Sequence, residues 1–192
     1  MAYRLFMRSA SPLAALTLAA ALLLSGCVPQ VPAVVPPPEQ TTEPVFASDE
    51  EALAAATDAY TAYLAMSDLI AQEGGANPER IAPFVTEEWL KKEIQGNRDL
   101  VASGRKLVGG VEVRSTSVQQ VFGDTVTPVT VVIYACLNPN GARLLDASGA
   151  DVTPELFSSA WTTEATLVST SDAKSHLLVA KDEPWSDTSV CS

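Results

Sequence analysis

The sequence contains a single histidine, His176, and a histidine held by a carboxylate can act as a general base. The candidate carboxylates are Asp58 and Asp68, in a predicted helix, and Glu164, in a predicted strand. Nothing in the sequence spacing places any of the three beside His176. We therefore interpret His176 as a structural or surface residue and predict no catalytic residue.

A metal site is the second kind of chemistry to consider. Transition metals are usually held by three or four His, Cys or carboxylate ligands, and one histidine argues against such a set. Asn138, Asn140, Asp146 and Asp151 could gather oxygens for Ca²⁺, but they lack the alternating Asp/Asn loop with a closing Glu. Turn formation explains these residues better. We predict no metal and no cofactor.

The first of the three cysteines follows an export-signal pattern. Arg4 and Arg8 precede an uncharged run from Leu13 to Leu24, which is too short to span a bilayer stably. The run ends in Leu24-Ser25-Gly26-Cys27 and resembles the lipobox of bacterial lipoproteins. The resemblance implies that residues 1–26 are a signal peptide and that Cys27 is lipidated, which anchors the chain to the extracytoplasmic face of the cell membrane.

Two cysteines remain once Cys27 is assigned to the lipid. An even number of thiols in an exported protein indicates a disulfide, so we predict that Cys136 and Cys191 pair. Two separate buried thiols are the alternative. A catalytic cysteine is disfavoured, because a resting disulfide offers no nucleophile.

The predicted tether covers residues 27–47 and holds six of the thirteen prolines in the chain. Proline cannot continue a helix or donate to a strand ladder, so this segment is expected to be an extended spacer. With 23 acidic and 12 basic residues, the formal net charge is −11. This balance excludes a basic nucleic-acid-binding surface.

Helical signals come first in the remaining chain. Ser48 with Glu51 forms a capping box, and a periodic stripe continues to Glu73 before Gly74-Gly75 ends the helix. This Tyr/Leu stripe, which includes Tyr60 and Tyr63, is expected to pack in the core, and lining a ligand cavity is the alternative. A short helical turn is predicted at 78–82. A further helix is expected from the Thr86 cap to Gly104.

From Lys106 onward the hydrophobic period becomes that of strands. A long first strand is expected to reach Phe122, with a bulge at Gly109-Gly110, and Gly123-Asp124 is predicted as a hairpin turn. The other predicted strands are 125–137, 143–145, 157–169 and 175–181. Helices followed by antiparallel strands predict a single α+β domain over residues 48–192, with helices packed on a curved sheet.

This order of elements resembles the cone of the nuclear-transport-factor-2-like (cystatin-like) fold. The last third of the chain also resembles uncharacterised secreted domains of this type from high-GC Gram-positive bacteria. The matching stretches are Ala135-Cys136-Leu137-Asn138, Leu145-Asp146-Ala147-Ser148-Gly149 and Trp185 to Cys191. Asn138 stands where those domains usually have Asp, which favours a turn-forming role at this position.

Taken together, these features predict a membrane-anchored extracytoplasmic binding or scaffolding lipoprotein without catalytic activity. Its partner would be an envelope protein or a small apolar ligand, and no nucleic acid is expected. Two alternatives stay open. One is a small isomerase- or dehydratase-like enzyme in the cone that uses His176 with a carboxylate. The other is an exclusion-type lipoprotein that blocks a channel or receptor.

Overall fold

The computed structural model describes residues 43–187 and 189–191. The predicted signal peptide, Cys27 and the tether up to residue 42 lie outside these ranges. The described residues form helices packed on an antiparallel sheet, which confirms the α+β class.

Helix α1, Asp49–Gln72, begins at the predicted cap. The hydroxyl of Ser48 accepts a hydrogen bond from the backbone N–H of Glu51, and the Glu51 carboxylate accepts one from the N–H of Ala47. The helix ends before Gly74 and Gly75, which both have positive φ angles. Its cap and its stop were therefore correctly read from the sequence.

The second helical region follows directly. A 3-10 helix, Pro78–Phe84, leads into helix α2, Glu87–Ser103, whose first N–H groups are capped by Thr86. Gly104 ends α2 in the left-handed conformation, as the sequence predicts.

Within the described residues, six strands make two sheets. Strands β2 (Glu112–Phe122), β3 (Thr130–Asn138), β5 (Trp161–Ser169) and β6 (Leu177–Trp185) form an antiparallel sheet in the order β2-β3-β5-β6. Strands β1 (Lys106–Val108) and β4 (Arg143–Leu145) pair as a separate two-stranded sheet. Pro184 lies in β6, which is an edge strand and so tolerates the missing donor.

The expectation of one long first strand bulged at Gly109-Gly110 is wrong. Pairing stops between β1 and β2, and the N–H of Val111 donates to the Asp68 carboxylate on α1 instead of to a strand. Gly109 has φ of 82°, and a Cβ at Gly110 would lie 3.0 Å from Oδ2 of Asp68. The glycines are thus needed for a sharp turn and for the close approach of α1. The register shifts of β2 occur later, at Val113/Ser115 and Val118/Gln120.

The boundaries of three other strands also differ from prediction. β3 begins at Thr130 rather than 125, because the Asp124 carboxylate accepts the N–H groups of Val126 and Thr127 in a loop. β5 begins at Trp161 rather than 157, because 155–157 form a 3-10 helix. β6 spans 177–185 rather than 175–181.

The core lies between α1 and the inner face of the larger sheet. Every second side chain of β3 faces the core, since Val131, Ile133, Ala135 and Leu137 are all buried, and Cys136 is buried on the other face of the strand. They pack with buried side chains from the other elements: Ala52, Ala56, Tyr60, Tyr63, Ile70, Ile81, Ala165, Leu167, Leu177 and Val179. The predicted Tyr/Leu stripe of α1 is therefore core packing.

Candidate functional site

An apolar pocket of about 280 Å³ opens beside the small sheet. It is hereafter called the apolar pocket, and its lining comes from β1, β4, the turns that flank them, and the start of β5. The apolar lining residues are Leu107, Val111, Pro139, Ala142, Leu144, Pro154, Phe157 and Trp161. Asp68, Arg143 and Thr153 complete the lining. An apolar pocket with a few convergent polar groups is the usual form of a small-ligand site.

Two aromatic rings line the apolar pocket side by side. Phe157 and Trp161 meet edge to face, with their ring centroids 5.0 Å apart, and both side chains are half-buried. This contact depends on the 3-10 turn before β5. In a continuous strand the side chains of Phe157 and Trp161 would be separated along the strand and could not meet. The boundary that the sequence missed is therefore part of the pocket.

Asp68 is the acidic group of the apolar pocket. It lies in the penultimate turn of α1, and its Oδ2 accepts the backbone N–H of Val111 at 2.7 Å. Burial raises the pKa of this carboxyl, while the Val111 hydrogen bond acts in the opposite direction. The charge is thus held where solvation is reduced, without an ion-pair partner among the residues described.

A second, more polar groove of about 440 Å³ adjoins the apolar pocket, and Asp68 and Val111 line both. The groove runs between α1 and the start of β2 and is hereafter called the acidic groove. Its other lining residues are Thr57, Thr61, Leu64, Ala65, Gln72, Glu112 and Val113. None of the lining residues is basic, so two carboxylates face the groove without a positive counterpart on its walls.

A second pair of carboxylates lies inside the fold, between the helices and the sheet. The Tyr60 hydroxyl donates to Oδ2 of Asp182 at 3.0 Å, and the Thr163 hydroxyl donates to Oδ1 of the same carboxylate. The Tyr63 hydroxyl donates to Glu93 at 2.7 Å. We call these five residues the tyrosine–carboxylate network.

The tyrosine–carboxylate network is closed to solvent on the tyrosine side, because Tyr60 is 0% and Tyr63 4% exposed. Burial raises the pKa of both phenols, and the charges of Asp182 and Glu93 raise them further. Burial also raises the pKa of Asp182, against its hydroxyl hydrogen bonds. The two tyrosines therefore remain protonated donors at neutral pH, which suits a structural network.

The network was missed at the sequence level. Tyr60 and Tyr63 were recognised as core residues, but Asp182 stands beyond the predicted end of β6. The bulge between Thr166 and Leu167 shifts the register of β6. Ala180 is thereby left without a strand partner, and Asp182, paired with buried Ala165, turns inward. A bulge of this kind leaves little trace in a single sequence.

His176 lies in the turn that joins β5 to β6, one residue before the strand. Its backbone N–H donates to Ala173, its carbonyl accepts from Thr170, and its side chain is exposed. Asp58 is also exposed and lines the same open groove as His176, of about 550 Å³. The histidine side chain makes none of the hydrogen bonds or ion pairs found among the described residues that could fix it as a base.

The other two candidate carboxylates lie elsewhere. Asp68 belongs to the apolar pocket, and Glu164 lies 3.7 Å from Lys181 in an ion pair on the sheet. Of the three candidates, the structure thus brings only Asp58 into the same groove as His176.

The oxygen-rich turns cap their own backbone. Oδ1 of Asp146 accepts from the N–H groups of Ser148 and Ala150 and from the Ser148 hydroxyl. Asp151 accepts from the N–H and hydroxyl of Thr153. Asn140 has φ of 44°, in the left-handed region of a turn. Within the part of the chain that is described, no three His, Cys, Asp or Glu side chains cluster as metal ligands do.

The sulfurs of Cys136 and Cys191 lie 2.06 Å apart, at disulfide distance, as the predicted pairing requires. Cys136 is on β3, and Cys191 ends a 3-10 helix, Ser189–Cys191, at the C-terminus. Nearby, Trp185 stacks on Tyr134 with ring centroids 5.2 Å apart. The disulfide, together with the hydrogen bond from the Ser115 hydroxyl to the carbonyl of Val190, therefore holds the C-terminal segment to the sheet.

Several solved structures are loosely similar to this chain. No protein-family model matches the sequence, and no curated protein matches it. The fold is similar to the intermembrane space region of chloroplast protein ARC6, with 11% identity over 70% of this chain and 97% of that chain, at a TM-score of 0.43. A periplasmic fragment of TraM is similar at 8% identity, over 67% of this chain and 96% of that chain, also at a TM-score of 0.43. At this similarity neither protein indicates a function for this chain.

No α-helix within residues 43–187 and 189–191 has the length and apolar character that a bilayer crossing requires.

Proposed function

We propose that this chain is a lipid-anchored extracytoplasmic binding protein with a nuclear-transport-factor-2-like domain, and that the apolar pocket holds a small, largely apolar ligand. The observation that carries the proposal is the apolar pocket itself, with its Phe157/Trp161 wall and one partly buried carboxylate. Burying apolar ligand surface there would provide about 25 cal/mol per Å² before the costs of association.

The apolar pocket lies toward the C-terminal end of α1, because Asp68 in its lining is 19 residues beyond Asp49. This corresponds to roughly 29 Å along a helix that rises about 1.5 Å per residue. Residues 43–48 precede the other end of α1, where the carbonyl of Glu43 accepts the N–H of Thr125.

The lipid anchor rests on the lipobox pattern and is tested by Cys27→Ala. The variant should lose labelling by a fatty-acid probe and should be released from the membrane or remain unprocessed. Normal processing and membrane attachment of the variant would contradict the anchor.

Ligand binding is tested with the neutral apolar probe 4-phenylbutan-1-ol, added to the lipidated protein in lipid nanodiscs. Calorimetry, corrected with empty nanodiscs, should show saturable binding. Ala142→Trp should abolish it, because the indole fills the apolar pocket. Ala54→Trp, on the exposed face of α1, is the matched control and should bind as the wild type does. No binding, or equal binding by Ala142→Trp, would contradict the proposal.

An enzyme remains the second candidate because His176 and Asp58 line one groove. A general base must be oriented by a second group, and its removal usually costs about 10² to 10⁴ in rate. We expect His176→Gln to leave the phenotype of a deletion strain fully complemented. A stable, exported His176→Gln protein that fails to complement would favour the enzyme.

A further inference from the structure

The hydrogen bonding of Asp68 is incomplete. Oδ2 accepts the N–H of Val111, but among the hydrogen bonds of the described residues none reaches Oδ1. A partly buried carboxylate with one protein donor retains acceptor capacity that water or a ligand must supply. The same carboxylate lines both the apolar pocket and the acidic groove. Its free oxygen is therefore placed where a bound molecule would pass from one cavity to the other.

The charges around Asp68 favour a cation. Glu112 faces the acidic groove, whose walls carry no basic side chain. Arg143 is the basic residue in the lining of the apolar pocket, but it is exposed. The pKa of Asp151 is lowered mainly by the Thr153 hydrogen bonds, and the charge of Arg143 lowers it slightly further. No ion pair of the described residues involves Asp68. With a net charge of −11, the whole chain also attracts cations.

The volume and the lining of the apolar pocket determine which apolar group of a ligand can bind there. A volume of about 280 Å³ is at the small end of ligand sites, and its walls are aliphatic and aromatic. Such a space suits an aromatic ring or a short alkyl chain, packed against Phe157 and Trp161.

We propose that the apolar pocket takes an amphipathic amine, whose apolar body packs on Phe157 and Trp161 and whose ammonium group binds Oδ1 of Asp68 at the border of the acidic groove. This inference rests on the proposed binding function and specifies the chemical class of its ligand. A charge-assisted N–H···O hydrogen bond to a partly desolvated carboxylate is stronger than its neutral counterpart. The amine should therefore bind more tightly than an uncharged molecule of the same shape.

The test compares three probes with one apolar body: 4-phenylbutylamine, 4-phenylbutan-1-ol and 4-phenylbutyrate. Each is titrated calorimetrically into the lipidated protein in nanodiscs at pH 7, and empty nanodiscs correct for partitioning into lipid. We expect the amine to bind about tenfold more tightly than the alcohol, which corresponds to about 1.4 kcal/mol. The carboxylate should bind most weakly.

Asp68→Asn should remove the preference for the amine over the alcohol, since the amide oxygen can still accept the Val111 N–H but the side chain no longer carries a negative charge. Asp58→Asn, an exposed position on the same helix, is the matched control and should keep the preference.

The outcomes separate the two proposals. If the alcohol binds in the apolar pocket but the amine binds no more tightly, or Asp68→Asn keeps the preference, the amine proposal is wrong and the binding function stands. If none of the three probes binds, or Ala142→Trp leaves their binding unchanged, the binding function itself is contradicted.

Discussion

Carboxylates are buried in two regions of the molecule, and the two regions differ in how these carboxylates are hydrogen-bonded. In the tyrosine–carboxylate network, both oxygens of Asp182 accept hydroxyl hydrogen bonds, from Tyr60 and Thr163. At the apolar pocket, Asp68 has one backbone donor and a free oxygen beside an open cavity. Burial raises the pKa of both acids, and Asp68 also lines two open cavities.

The difference shows that a perturbed carboxyl alone does not identify a functional site. When the fold supplies all the hydrogen-bond donors to a buried acid, the acid stabilises the fold, because those donors would otherwise be left without an acceptor. A buried acid with an unused oxygen in a cavity can gain a partner from solution. Stability and probe binding, measured on the same variants, distinguish these two roles.

The largest expected loss of stability comes from removing the disulfide between Cys136 and Cys191. Replacing both Cys136 and Cys191 by Ser removes a cross-link between residues 55 positions apart. In the chain-entropy model this lowers the free energy of unfolding by about 4 kcal/mol. Urea denaturation should show the loss, whereas 4-phenylbutan-1-ol should still bind below the transition. An unchanged urea midpoint would contradict the disulfide.

A smaller loss is expected from the tyrosine–carboxylate network. Asp182→Ala leaves the hydroxyl of fully buried Tyr60 without its acceptor, which should lower the free energy of unfolding by about 2 kcal/mol. Asp182→Asn, which keeps an acceptor oxygen, should lose less. Exposed Asp58→Ala is the control. If Asp182→Ala is as stable as the wild type but loses probe binding, the two regions have been assigned the wrong roles.

The smallest expected effect is a pH dependence at Asp68. Because burial raises its folded pKa above the unfolded value of about 3.9, protonated Asp68 favours the folded state. This contribution is present below about pH 3.9 and is lost as the pH rises through the higher folded pKa. The stability of the wild type relative to Asp68→Asn should therefore fall as the pH rises from about 4 toward neutrality.

Urea denaturation of both proteins across this range measures that difference. At pH 7, saturating 4-phenylbutylamine should raise the stability of the wild type relative to Asp68→Asn, since the ammonium group favours ionised Asp68. A difference that rises with pH in the absence of the amine would show that ionised Asp68 already has a partner within the fold.

The sequence predicted the helices better than the candidate site. The Ser48 and Thr86 caps and the stops at Gly74-Gly75 and Gly104 are local signals, and local chemistry determines where α1 and α2 begin and end. The apolar pocket depends on long-range events instead. Asp68 takes the N–H of Val111 from 43 positions away, which no periodic pattern records.

The inward position of Asp182 has a similar origin. One extra residue in β6 changes which face of the sheet each later side chain occupies, so the alternation read from the sequence fails beyond the bulge. The placement of His176 in a strand was wrong by one residue, because β6 begins at Leu177.

The most direct test of the account is to locate a bound probe by two-dimensional ¹H–¹⁵N NMR of the labelled protein in nanodiscs, during a titration with 4-phenylbutylamine. The N–H of Val111 donates to Asp68, so its resonance reports on that carboxylate. The account predicts saturable shifts at Val111, Leu144 and the Trp161 indole, and little change at Tyr60 or Asp182. Shifts centred on Tyr60 and Asp182, with Val111 unmoved, would contradict it.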